Sequence, residues 1–171
     1  LLRHGGSDAH WGLLSWRWHQ KATIAGYTFT SWIDNTPGYD CYHFDPFTHL
    51  KNEYPNLWVQ GDQWHSGMLE YANRLFPKLG INTPAQELKY RPENWTTCNY
   101  YIGNSDYWTS LLGFMDECLA ISNQDEAMHK YLYIDGRVYN GHFIPNFSFV
   151  TERLSSLHNY LKPEFKVIGY V

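Results

Sequence analysis

Bulky apolar residues fall along this chain in two patterns, short runs bounded by turn residues and longer stretches where they recur at helical spacing. The runs 10–18, 39–44, 100–102 and 165–171 have the length and bulky side chains of strands. Asp45-Pro46 stops the second run and Gly103 the third. Helical spacing places Met68, Leu69, Ala72, Leu75, Phe76 and Leu79 on one stripe until Gly80. Tyr107, Trp108, Leu111, Leu112, Met115, Cys118 and Leu119 form a second stripe, and Val150, Leu154, Leu157 and Leu161 a third over 149–161. Asp62 reads as the N-cap of the first of these helices and Asn104 or Ser105 as that of the second. A further capped helix is expected from 122–126 to about Tyr133, with shorter ones from Thr28 or Thr30 to Ile33 and over 47–54. Residues 81–94 and 138–147 carry no periodicity and read as loops, the second of them aromatic.

Strands alternating with helices predict a mixed α/β fold with a mainly parallel sheet flanked by helices. Parallel strands bring their carboxyl ends to one edge of the sheet, where open α/β folds bind ligands. Trp16, Arg17, Asp45, Asn99 and Tyr101 are then expected around one cleft, with Asn104 just beyond the third strand. Glu152 and Arg153 are expected to join them from the first turn of the closing helix. An acidic residue in that turn also stabilises the helix dipole, which is the alternative role for Glu152.

The 171 residues fit one domain with a real core, and the start at Leu1 without an initiator Met reads as part of a longer product. Net charge is -4 and the charged residues are dispersed, so no basic face exists for nucleic acid. No apolar run approaches the roughly 20 residues of a membrane span. Cys41, Cys98 and Cys118 are an odd number at unrelated spacings, which speaks against a disulfide framework or structural zinc and for a reducing cytoplasm. Aromatics make up 18% of the chain, and their flat faces suit sugar stacking as well as core packing.

The chain has no Gly-x-Gly-x-x-Gly, Walker loop, Gly-x-Ser-x-Gly or His-Glu-x-x-His, which removes dinucleotide oxidoreductases, common NTPases, serine hydrolases and zincins. Arg17, His19 and Lys21 cluster after the first strand, where they suit a phosphate or carboxylate. Asp62 and His65 lie one helical turn apart and make a candidate acid/base or metal pair, and His43 and Asp45 share a strand face.

The motifs Gly12-Leu13-Leu14-Ser15-Trp16-Arg17-Trp18, Tyr39-Asp40, Asn99-Tyr100-Tyr101-Ile102 with Tyr107-Trp108, and Phe149-Val150-Thr151-Glu152-Arg153-Leu154 occur in that order before a closing strand. In this order they resemble bacterial glycosyltransferase-like domains associated with capsule and lipopolysaccharide genes. The resemblance covers most of the chain and implies a GT-A-like fold lacking the family's first βα segment. It also implies transfer of a sugar from a nucleotide-sugar donor to a surface-polysaccharide glycan acceptor. Trp16 and Trp18 stand where the family has Tyr and a second Arg. GT-A enzymes commonly hold a divalent metal, Mg or Mn, through Asp-x-Asp, a triplet absent here, so the metal ligands stay unassigned. Glu152, Asp62 and Asp45 are the candidate catalytic carboxylates. Trp16, Arg17, His19, His65, Asn99, Tyr101, Asn104 and Arg153 are the candidate substrate-binding residues. The alternative function is a non-catalytic carbohydrate-binding or scaffolding domain.

Overall fold

The computed structural model describes residues 9–13, 18–22 and 24–170. In chain order these form β1 (Trp11–Leu13), α1 (Trp18–Lys21), α2 (Gly26–Asp34), β2 (Cys41–Phe44), α3 (Leu50–Glu53), α4 (Leu57–Trp64) and α5 (Met68–Lys78). Two 3-10 turns, Ala85–Glu87 and Pro92–Asn94, lead to β3 (Tyr101–Gly103) and α6 (Ser105–Asn123). The chain closes through α7 (Glu126–Tyr133), β4 (Gly136–Tyr139), β5 (His142–Pro145), α8 (Phe147–Leu161) and β6 (Val167–Tyr170).

The fold is mixed α/β, but the expected mainly parallel sheet is mostly antiparallel. Four strands run in the order β1-β3-β2-β6, with β3 antiparallel to both β1 and β2, and β2 parallel to β6. The cause lies in the return from α5. The segment before β3 is bound along α8: Asn94 Nδ2 donates to Asn159 O at 3.2 Å, and Ser156 Oγ both accepts from Thr96 N and donates to Thr96 O, each at 3.2 Å. It therefore enters the sheet against the direction of β2, with Tyr101 opposite His43 and Gly103 opposite Cys41.

Every residue of β2 is buried because both faces of the sheet are covered. Tyr42 and Phe44 point into an aromatic layer with Trp18, Phe29 and Tyr100; the Trp18 ring lies 4.9 Å from Phe44 and 5.0 Å from Tyr100. Cys41 on the other face meets Tyr101, Tyr107 and Leu111. Much of the aromatic content is thus core packing, each pair adding about 0.5–1.5 kcal/mol beyond burial. A second, larger core joins α4 to α8, with Trp58, Met68, Leu75, Phe76, Phe114, Met128, Leu154 and Leu157 all buried.

Two helix starts follow the local chemistry, whereas α5, expected to begin at Asp62 as N-cap, has Gly67 at that position with Asp62 inside α4. Asn104 caps α6 by accepting from Tyr107 N at 2.9 Å, and Asp125 caps α7 by accepting from Ala127 N and Met128 N. The buried stripe of α6 is Tyr107, Leu111, Phe114, Cys118 and Ser122, which leaves Leu112 half exposed. Residues 138–147, expected as loop, contribute most of the β4–β5 hairpin and the start of α8. Asn140 (φ 49°) and Gly141 (φ 79°) supply the left-handed pair that the two-residue turn needs. All three cysteines are free and buried. Among the described residues no helix is long and apolar enough to cross a membrane.

Asn56 holds the loop after α5 to the start of α4. Its Oδ1 accepts from Trp58 N and Val59 N, and its Nδ2 is shared by the carbonyls of Ala85, Gln86 and Leu88 at 3.0, 3.0 and 3.1 Å. The side chain is fully buried. Asn56→Ala therefore removes a cap and strands buried carbonyls, and it should cost about 2–4 kcal/mol of unfolding free energy in a urea titration. A loss under about 1 kcal/mol would show that the loop does not depend on this residue.

Candidate functional site

Where the end of β2 meets the start of β3, the structure opens a cleft of about 440 Å³. One wall is the segment after β2, with Phe47, His49 and Leu50; another is the C-terminal half of α4, with Gln60, Trp64 and the following His65. Thr97 and Cys98 come from the strand approach, Phe149, Glu152 and Arg153 from α8, Lys21 from α1 and Arg137 from β4. Glu152 is the one carboxylate among these residues, against Lys21, Arg137 and Arg153.

Arg153 is 3% exposed and spans the gap between two helices. Its Nε donates to Leu57 O at 3.1 Å, Nη2 to Gln60 Oε1 at 2.6 Å and Nη1 to Phe149 O at 2.7 Å. Gly61 makes that path possible, because a Cβ there would collide with the Arg153 guanidinium and the Met68 sulfur. Glu152 Oε2 lies 3.8 Å from Arg153 Nη1, close enough for electrostatic attraction and too far for a hydrogen bond. Its side chain is 26% exposed. Burial raises the Glu152 pKa above the ordinary carboxylate value, against the opposing pull of Arg153 and Lys21.

His65 stacks on Phe149 with ring centroids 3.6 Å apart, and the Arg137 guanidinium lies 5.1 Å from the same Phe149 ring. Burial, with Arg153 and Arg137 nearby, pushes the His65 pKa down to about 4. His65 is thus neutral at pH 7. Cys98, whose Sγ lies 4.0 Å from Lys21 Nζ, is pushed up to about 12 by burial and remains a thiol.

The residues singled out from sequence divide into three groups. Glu152, Arg153 and His65 line the cleft. Asp45, Tyr101 and Asn99 are outside its lining, the first two buried and Asn99 exposed: Asp45 is 4% exposed and its Oδ1 accepts from Thr97 Oγ1 at 2.7 Å and Phe47 N at 3.0 Å. Tyr101 is 2% exposed within the core, and Asn99 Oδ1 accepts from Ser155 Oγ at 3.3 Å. Asn104, Asp62 and His19 are elsewhere. Antiparallel pairing carries Asn104 to the far end of the sheet, where its Nδ2 donates to Asp40 Oδ1 at 2.8 Å. Asp62 lies inside α4 and accepts from Gly67 N and Leu69 N, both at 3.0 Å, fastening the corner to α5. His19 is an exposed residue of α1 outside the cleft lining. Trp16 and Arg17 lie outside the described residues.

Glu152 does not serve the helix dipole. Helix α8 starts at Phe147, so Glu152 falls beyond the first turn, where the dipole's influence ends. Nor do the residues present fit a GT-A-type metal: among the described residues no three His, Cys, Asp or Glu side chains converge, although His43 Nδ1 and Asp45 Oδ2 are buried without hydrogen-bond partners there. Arg137, Gln60, Trp64 and Thr97 complete the cleft without any motif of their own. The Asn140-Gly141 pair between alternating residues is the signal that marks the hairpin carrying Arg137. No protein family, curated protein or solved structure matches this chain.

The buried histidines give this region a pH response. His43 is 1% exposed and donates its Nε2–H to Glu93 O at 2.7 Å, and burial lowers its pKa to about 4, as for His65. Both are neutral in the folded state, whereas an unfolded histidine takes up a proton near 6.5. Stability present above about pH 6.5 is therefore lost as pH falls toward 4, with His43 alone contributing about 3 kcal/mol. His43→Gln keeps a donor for Glu93 and should flatten that loss in denaturation curves taken from pH 7 to 4. An unchanged slope would place the proton uptake on other groups.

Proposed function

We propose that the cleft transfers a sugar from a nucleotide-sugar donor to a glycan acceptor, with Glu152 as the base. The observation that carries this reading is a single carboxylate, of raised pKa, in a cleft that also holds Lys21, Arg137 and Arg153. Cations at that position suit a leaving diphosphate, and a carboxylate beside them suits proton removal from an attacking hydroxyl. In an inverting displacement the acceptor oxygen bonds to the anomeric carbon as the bond from that carbon to the diphosphate oxygen breaks. The bonding pair leaves with the diphosphate, and the hydroxyl proton passes to Glu152. Lys21 and Arg137 hold the diphosphate, while Arg153 remains tied to α4. Neutral His65, fixed against Phe149, supplies a hydrogen-bonding wall. No step is routed through a metal.

The second reading, a carbohydrate-binding domain without turnover, draws on Trp64, an exposed residue of the cleft lining. The two readings separate on Glu152→Gln. As a base, Glu152 accounts for a turnover loss of about 10²–10⁴-fold on its removal, read as nucleoside diphosphate released across a panel of UDP- and GDP-sugars. Stability should move the other way. A carboxyl group whose folded pKa is raised opposes folding above its unfolded pKa, so the neutral amide should raise Tm at pH 7, and the gain should vanish as pH falls below the ordinary carboxylate pKa. Turnover retained in the variant would rule out Glu152 as base, and a fall in Tm of several degrees would make it a structural partner of Arg153.

A further inference from the structure

A second cavity, of about 770 Å³, lies on the other side of the 47–52 segment, along the free edge of β6. The segment is a partition. Phe47 and Leu50 line the first cleft, Thr48, Lys51 and Asn52 line the second cavity, and His49 lines both. Four features of the second cavity bear on what it could hold.

Ile168, Gly169 and Tyr170 of β6 line it, and among the described residues no strand pairs with the outer side of β6, so backbone N–H and C=O groups there lack ladder partners among those residues. Gly169 leaves that backbone bare, while the His43 ring covers its inner face so closely that a Cβ would sit 2.7 Å from His43 Cε1. Two aromatic rings, Tyr90 and Trp95, stand across the cavity. Tyr90 is fixed by accepting from Trp58 Nε1 at 2.9 Å, and Trp95 is 4% exposed, with no partner for its Nε1–H among the described residues. Finally, Lys51 is half-buried and forms no ion pair among the described residues; its ammonium donates to Pro92 O at 3.2 Å. Arg91 and Glu93 are paired with one another at 3.4 Å, and Asp45 and Glu93 act on Lys51 only from beyond salt-bridge distance.

A strand edge offering donors and acceptors matches a row of hydroxyl groups, the half-buried Tyr90 ring matches an apolar edge of a pyranose, and a half-buried ammonium outside any salt bridge matches a negative charge. We propose that this cavity is a second carbohydrate site, selective for a sugar ring that bears a carboxylate. The volume falls within the range of small-ligand sites. The site stands on its own geometry and does not depend on transfer in the first cleft.

The test is calorimetric titration of the chain with an oligosaccharide of alternating glucuronate and N-acetylglucosamine, beside a neutral N-acetylglucosamine oligomer of equal length. The acidic oligosaccharide should bind at least tenfold more tightly, and Lys51→Gln should remove that preference while leaving the melting temperature near the parent's. Amide shifts at Ile168, Gly169 and Tyr170 should accompany binding. Lys21→Gln, on the far side of the partition, should leave affinity and amide shifts unchanged. Equal affinity for the two oligosaccharides, or no binding of either, overturns the proposal. So does binding of the acidic one that Lys21→Gln abolishes and Lys51→Gln does not, since that places it in the first cleft. Loss of turnover in Glu152→Gln has no bearing on any of these readings.

Discussion

A guanidinium from α8 lies across α4 at Gly61, and the helical half of the protein is arranged around that crossing. Arg153 donates to the Leu57 carbonyl, to Gln60 and to its own Phe149 carbonyl, so one side chain fixes the spacing of two helices. Burying a charge is costly unless its hydrogen bonds are made, and breaking such an arrangement commonly costs about 3–5 kcal/mol. The same arrangement sets the floor of the cleft. It places Glu152, the neighbour of Arg153 in sequence, at the cleft surface, and through Gln60 it holds the half of α4 that ends at Trp64 and His65.

The sheet depends on a different constraint, the coverage of both its faces. Tyr42 and Phe44 need the aromatic layer built by α1 and α2, while Cys41 and Tyr101 need α6 behind them. Asp40 closes the far end by accepting from Asn104 Nδ2 and from Lys166 N, each at 2.8 Å, so β2, β3 and the approach to β6 are tied by one carboxylate. With that end fastened and the other held to α8 through Thr96 and Ser155, the β2–β3 register has little freedom to slip. The cleft opens at the end where the sheet's backbone gives way to side chains on loops.

Two helix starts governed by local chemistry were legible in the sequence, whereas the Asn140-Gly141 hairpin, equally local, was read as loop, and the sense of the long-range strand pairing was not legible. Asn104 and the 122–126 segment announce helix starts because a short polar side chain before an apolar stripe satisfies free N–H groups without help from elsewhere. The sense of β3 is set by hydrogen bonds between 94–99 and α8, some 60 positions away, and no periodicity encodes them. The expectation that Asn99 lines one cleft with Glu152 rested on parallel strands; with antiparallel pairing Asn99 lies outside the cleft lining and Asn104 falls at the far end of the sheet. Arg153 looks like an anion-binding group in sequence because a helix tie and a ligand-binding cation are the same residue type. Asp62 shows the same ambiguity, resolved only by the two backbone N–H groups that it accepts.

Charge makes the cleft distinct from the rest of the chain. The protein carries a net -4, yet the cleft wall presents three cations to one carboxylate. Acidic residues elsewhere do little to the cleft beyond a Debye length of about 8 Å in physiological salt, so an anion would respond to the local sign. Glu152 registers that environment in an informative way: its pKa is raised although two cations act to lower it, so loss of hydration outweighs attraction at this position. An anion seated between Lys21 and Arg137 would neutralise part of that attraction and add a like charge beside Glu152, and both changes raise its pKa further. The proton affinity of the carboxylate would then be greatest while the anion is bound and would fall when the anion leaves. Under the proposed transfer, a carboxylate tuned in this sense would take a proton in the filled cleft and release it from the emptied one.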